Sequence, residues 1–183
     1  MNSGKKVKVE GSRSRFTIHK LPITDLKGYP MAEMLVDGDV MRQAGKTQFR
    51  LEGWVATAPF EDLLEITIEE AREGRAVLSL PFKVKFAQGG GLLHGGALVT
   101  LADTAVAIAI KTLLPEGTAF ATTDINAKFL APVLTGRVTA VAVVDGPEGR
   151  TFHGQAVVAD EEGREVFRFG SVFRVARGQG FED

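Results

Sequence analysis

The chain has 183 residues, 44% of them hydrophobic and 25% charged, with a formal net charge of −1. That length predicts one domain with a short appendage, and near-neutrality favours neither nucleic acid nor a membrane surface as a partner. With no cysteine in the sequence, disulfides, thiolate zinc sites and a cysteine nucleophile are excluded, which fits a cytoplasmic protein.

Residues 1–20 hold Lys5, Lys6, Lys8, Arg13, Arg15 and Lys20 among Gly and Ser. They read as a solvated basic tail, since aromatic platforms for nucleic acid are lacking and no apolar signal-peptide core follows. Residues 21–56, punctuated by Pro22, Gly28, Pro30, Gly38 and Gly45, read as an extension packed on the main domain, with a candidate strand at Phe49–Trp54. Leu64, Ile66 and Ile68 alternate with Glu65, Thr67 and Glu69, the pattern of a half-buried strand. After a turn at Arg72–Arg75, apolar residues fall on even positions from Ala76 to Phe86, which predicts a long strand with an edge or bulge at Pro81.

A glycine-rich loop follows, Gln88-Gly-Gly-Gly91-Leu-Leu-His94-Gly95-Gly96, and opens a helix expected over about 96–114, closed by Pro115 and Gly117. Strands are expected at Thr122–Ala131, Val138–Val144, Thr151–Ala159 and Glu165–Val175, with turns at Asp145–Gly149 and Asp160–Gly163. In the first of these, Thr123, Ile125, Ala127 and Phe129 are expected on one side and Asp124, Asn126 and Lys128 on the other. One long helix against an antiparallel sheet is an α+β layout. The helix carries Asp103 and Lys111, which argues for a core helix over a membrane span.

Apolar residues cover all sides of that helix, so it must be enclosed, part by the sheet and part by a second subunit. A helix opened by glycines offers free N–H groups at its start. Asp103 is a lone carboxylate in an apolar run, which is costly without a task or a partner. It is either a general base or a structural acid that caps backbone or pairs with a cation. Eight residues of helix rise ~12 Å, so Gly95 and Asp103 of one chain cannot both touch one reacting carbonyl. If both act at one centre, antiparallel helices of two subunits supply one group each, a symmetric dimer with two composite sites. His94 reads first as an N-terminal cap. No histidine has a partner at metal-ligand spacing, and the loop lacks the endings of a P-loop or dinucleotide fingerprint.

The pattern Gln88-x-x-Gly91-x-x-His94-Gly95-Gly96-x6-Asp103, with the later run Thr122–Pro132 and Gly136, resembles the hot-dog-fold acyl-CoA thioesterases of the phenylacetate-degradation (PaaI-like) branch. The resemblance covers about residues 57–176, with 1–56 as extension and 177–183 as a C-terminal tail. It implies an antiparallel sheet wrapped around one long central helix, a homodimer or homotetramer, and hydrolysis of acyl-CoA thioesters with no cofactor. The apolar neighbours Leu92, Leu93, Ala97 and Leu98, with no cationic clamp and no metal ligands, favour an aryl or medium-chain acyl group over a dicarboxylic one. By position, Gly95 would polarise the thioester carbonyl and Asp103 of the partner subunit would be base or nucleophile. Thr122 would help hold water, and Gln88 would orient water or the carbonyl. Gly91, His94 and Gly96 would line the substrate, and Lys128 stands as the substitute for a basic CoA contact, because Ala131 occupies the family's usual basic position. Two other readings are a non-catalytic acyl-CoA-binding regulator on the same fold, and a hydratase, whose paired His and acid the His94–Asp103 spacing does not resemble.

Overall fold

A computed structural model describes residue 51 and residues 53–181. The basic tail, the extension through residue 50, and residues 52, 182 and 183 lie outside the described residues. So does most of the candidate strand at Phe49–Trp54, whose described members Leu51, Gly53 and Trp54 form no strand.

A short helix α1 (Pro59–Leu63) precedes strands β1 (Thr67–Arg72) and β2 (Arg75–Pro81). A single 3₁₀ turn spans Val84–Phe86, followed by the long helix α2 (Gly95–Lys111) and strands β3 (Phe120–Phe129), β4 (Arg137–Glu148), β5 (Thr151–Ala159) and β6 (Glu165–Val175). The strands form one antiparallel sheet in the order β1-β2-β4-β5-β6-β3. This is the hot-dog arrangement: the sheet curls around α2. No helix among the described residues is long and apolar enough to cross a membrane.

Period-two patterning explains the wrap. In β5, Phe152, Gly154, Ala156 and Val158 are buried and the residues between them face outward. In β6, Phe167, Phe169, Ser171, Phe173 and Val175 do the same. Together with Leu78, Leu80, Val138, Ala140 and Ala142 these inner faces meet Leu101, Ala105, Val106, Ile108 and Ala109 of α2 in one core. Each large side chain so buried contributes about 1.5–3 kcal/mol. Gly154 sets how deep the helix sits: a Cβ there would lie 2.1 Å from Val106 Cγ1, so only a bare backbone admits the helix at this depth.

Three expectations are corrected. The alternation at Leu64–Ile68 is not a continuous strand, because Leu64 closes the short helix α1 in helical geometry and Glu65 takes a φ of 57°, so β1 begins only at Thr67. Proline is well suited to a first helical turn, and the Glu61 carboxylate accepts a hydrogen bond from the Ala58 N–H, 3.1 Å, as an N-terminal cap partner. The long strand expected to Phe86 stops at Pro81, beyond the last β1 pairing at Ser79. Past it the chain turns, with the Phe82 N–H bonded to Gly136 O and Val84–Phe86 wound into the 3₁₀ turn. In β3 a bulge between Thr122 and Asp124 shifts the register by one. Ile125, Ala127 and Phe129 oppose the inward residues Ser171, Phe169 and Phe167, but it is Thr122, opposite Phe173, that shares their face, and not Thr123.

Candidate active site

The glycine loop is a closed turn. Ala87 and Leu93 form a bridge, Gln88 N–H donates to Leu92 O and Gly91 N–H to Gln88 O, both at 2.8 Å. The Gln88 side-chain oxygen accepts from the Gly90 N–H, so it is engaged within the loop. Leu93 is buried and its N–H donates to Val133 O at 2.9 Å, which anchors the loop to the segment after β3.

His94 is the N-cap of α2: its Nδ1 accepts from the Gly96 N–H at 2.9 Å. An accepting Nδ1 leaves the proton of the neutral ring on Nε2. Gly95 is the first helical residue, and its N–H has no acceptor among the described residues. A Cβ on Gly95 would stand 2.9 Å from Cε1 of Phe129, so glycine is what lets β3 close over the helix start. The Phe129 ring in turn packs on Phe167, with centroids 4.8 Å apart. The helix start therefore presents an unpaired N–H in the positive end of a 17-residue dipole.

Two turns further on, Asp103 accepts from the Thr122 hydroxyl, which lies 3.0 and 3.2 Å from its two oxygens. The bulge in β3 is what turns Thr122 toward the helix. Burial pushes the Asp103 carboxyl above the usual aspartate range; the Thr122 hydrogen bond pulls the other way, and the negative charge of Glu61 adds to the rise.

Asp103 belongs to a stripe of α2 that the sheet leaves open. Gly96, Thr100, Asp103, Ala107 and Lys111 recur every three or four residues and are half-buried or exposed, whereas Leu101, Ala102, Ala105, Val106, Ala109 and Ile110 are fully buried. The far end of the stripe is held by the segment before β1. Trp54 Nε1 donates to Lys111 O at 2.9 Å, the Lys111 ammonium sits 5.2 Å from the centroid of the indole, and the indole meets Phe120 edge-on at 6.4 Å. Burial lowers the Lys111 pKa, with Glu61 opposing.

The structure thus joins Asp103 to Thr122 within one chain and sets Gly95, with His94 and Gly96, at the helix start. It does not bring Gln88 to Asp103 in the same chain. Gly91 lies in the turn of the loop, and Lys128 projects from β3 on the side away from Thr122 and Phe129. Sequence reasoning missed Glu61, Thr104 and Trp54 as neighbours of this stripe. The Pro-Phe-Glu spacing at the start of α1 was the signal available for Glu61, and an alternating pattern beside it masked the short helix.

A sequence profile of the thioesterase superfamily matches residues 90–167, which span most of the loop, α2, strands β3 to β5 and the start of β6. A Halobacterium salinarum protein, named provisionally as an esterase, is 32% identical over 124 residues, covering 62% of this chain and 82% of the relative. The chain belongs to the thioesterase superfamily. It is a thioester hydrolase by family. The 1,4-dihydroxy-2-naphthoyl-CoA hydrolase of Listeria monocytogenes is 39% identical over 83 residues, 45% of this chain and 67% of that one. Among solved structures, the PaaI protein of the E. coli phenylacetic acid degradation operon superposes with a TM-score of 0.61 at 27% identity, covering 67% of this chain and 87% of the other.

Proposed function

We propose that this thioesterase hydrolyses acyl-CoA thioesters carrying an aryl or medium-chain acyl group, using two composite sites in a symmetric dimer. The observation that carries the reading is the pairing of Asp103 with Thr122 on the one stripe of α2 that the sheet leaves open, on the same helix as the unpaired N–H of Gly95. The two groups are separated by ~12 Å of helical rise. Two antiparallel copies of α2 bring the Gly95 N–H of one subunit to the Asp103 of the other.

The thioester carbonyl oxygen gains negative charge as its carbon becomes tetrahedral, and the Gly95 N–H with the helix dipole behind it stabilises that charge, a contribution of ~3 kcal/mol for one such donor. The ionised Asp103 carboxylate takes a proton from the attacking water, or attacks the carbon itself to give an anhydride that water then opens. Collapse of the tetrahedral centre breaks the C–S bond; coenzyme A leaves as its thiol and the acyl group as a free acid. The Thr122 hydroxyl holds the carboxylate in place. In this reading Gln88, on the loop that leads to Gly95, orients water or the carbonyl, His94 lines the substrate, and Lys128 is the cation offered to the CoA phosphates.

The test is a panel of acyl-CoA esters assayed with wild type and Asp103→Asn. Phenylacetyl-, benzoyl- or medium-chain esters are expected to outpace succinyl-CoA in kcat/KM, with no response to chelator, and Asp103→Asn to lower kcat by ~100-fold or more. Near-wild-type turnover by Asp103→Asn removes Asp103 from the chemistry. A preference for succinyl-CoA overturns the substrate class.

A further inference from the structure

Glu61 lies outside the stretch matched by the family profile and takes no part in the steps above. Its two oxygens are both engaged: Oε1 accepts from the Thr104 hydroxyl at 3.1 Å and Oε2 from the Ala58 N–H at 3.1 Å. Thr104 is the residue after Asp103 and is buried. The carboxylate of α1 is therefore fastened to α2 one residue along from Asp103 and cannot swing into solvent without breaking both bonds.

The surroundings of Asp103 make this neighbour stand out. From β3 it meets Thr122, a neutral donor, while Asp124 lies on the outward face of that strand. On its own helix the charged residue is Lys111, eight positions on, or ~12 Å along the axis. His94, nine positions back, is farther still. In the composite site proposed above, the Gly95 N–H and the His94 ring of a second copy would be the groups facing it across the interface. From α1 comes Glu61, a charge of the same sign.

We propose that Glu61 is a positioning residue for hydrolysis: a second carboxylate, fastened to α2 through Thr104, whose charge adds to what burial does in delaying the point at which Asp103 becomes free to act. This rests on the reading of Asp103 as base or nucleophile. A like charge makes the ionised form of Asp103 harder to reach and a stronger base once reached. Without Glu61, Asp103 ionises at lower pH, so the acid limb of the rate profile moves to lower pH.

The experiment uses the full chain with ¹³C-labelled aspartate carboxyls, the Asp103 resonance being identified by its loss in Asp103→Asn. Its titration and the acid limb of kcat/KM for an aryl- or medium-chain acyl-CoA are followed in wild type, Glu61→Gln and Asp62→Asn. Glutamine keeps one acceptor, for Thr104, and loses the one for the Ala58 N–H, so the thermal midpoint of each variant is followed alongside to separate loss of the charge from loss of the cap. Asp62, bonded to Thr57 on the exposed side of α1, controls for the loss of any negative charge on that helix. The expected result is that both midpoints move to lower pH in Glu61→Gln and stay put in Asp62→Asn. An Asp103 titration unchanged in Glu61→Gln, or moved as far in Asp62→Asn, overturns the role of Glu61. A titration that moves while the rate profile does not overturns the reading of Asp103 as the acting group, and with it the catalytic part of this inference, yet leaves the coupling of the two carboxylates demonstrated.

Discussion

Helix α2 has two faces of opposite character. One carries Leu101, Ala105, Val106, Ala109 and Ile110, all at 0% exposure. The other carries Gly96, Thr100, Asp103, Ala107 and Lys111, none of them large and apolar. The first face meets a curved sheet from the same chain and is optimised for packing. The second holds small and polar side chains, an acid raised by burial and a lysine lowered by it. Stability is drawn from one side of the helix, while the groups to which the proposed hydrolysis is assigned sit on the other.

The contrast is broken most severely on the packed face. Leu101→Ala should cost about 2–5 kcal/mol, the range for a buried leucine truncated to alanine, read as a lower denaturation midpoint with turnover per folded molecule retained. On the open stripe, Ala107→Asp should leave the circular dichroism of the folded chain unchanged but weaken self-association by ~100-fold or more, since an unpaired charge buried at an interface is strongly disfavoured. Sedimentation across a dilution series reads it, and an unaltered association constant would place the interface elsewhere. Thr122→Val removes a hydroxyl and keeps the volume. It should lower kcat by ~10-fold, less than the loss expected for Asp103→Asn, with KM little changed.

The smallest effect is on stability and has a defined sign. The folded chain holds the Asp103 carboxyl above its ordinary value, so ionising it costs folding free energy. That cost is absent below the unfolded-state pKa and complete above the folded one. Asp103→Asn should therefore raise the thermal midpoint at pH 8, and the gain should shrink toward zero as pH falls through the Asp103 titration. An equal gain at both ends would assign the effect to packing and not to charge.

The two faces also mark what the sequence could and could not convey. The even-numbered run of β2 as far as Leu80, the β5 and β6 alternations and the capped, glycine-led start of α2 could be read without coordinates, although the same run continued past Pro81 into a 3₁₀ turn. β5 and β6 fall at the expected boundaries, Thr151–Ala159 and Glu165–Val175. What failed was short and local. A single extra residue in β3 reversed the side of Thr123, and one turn of helix at α1 was masked by the strand-like alternation that follows it. The helix read as apolar all round because alanine and valine recur on every side; that pattern could not say which stripe the sheet would leave open. Asp103 stood out as a lone acid, whereas Glu61, one of many surface-type glutamates in the sequence, became a neighbour only through a contact 43 residues apart in the chain.

Trp54 is the sole tryptophan in the sequence, and its indole N–H is tied to the last turn of α2 under a lysine ammonium. The chain thus carries its own optical probe at the far end of the open stripe. Its emission is sensitive to the charge above the ring and to water at the indole, so any ligand or chain that covers this end of the stripe, or loosening of the segment that joins residue 53 to α1, registers as a change in colour and intensity without any added label.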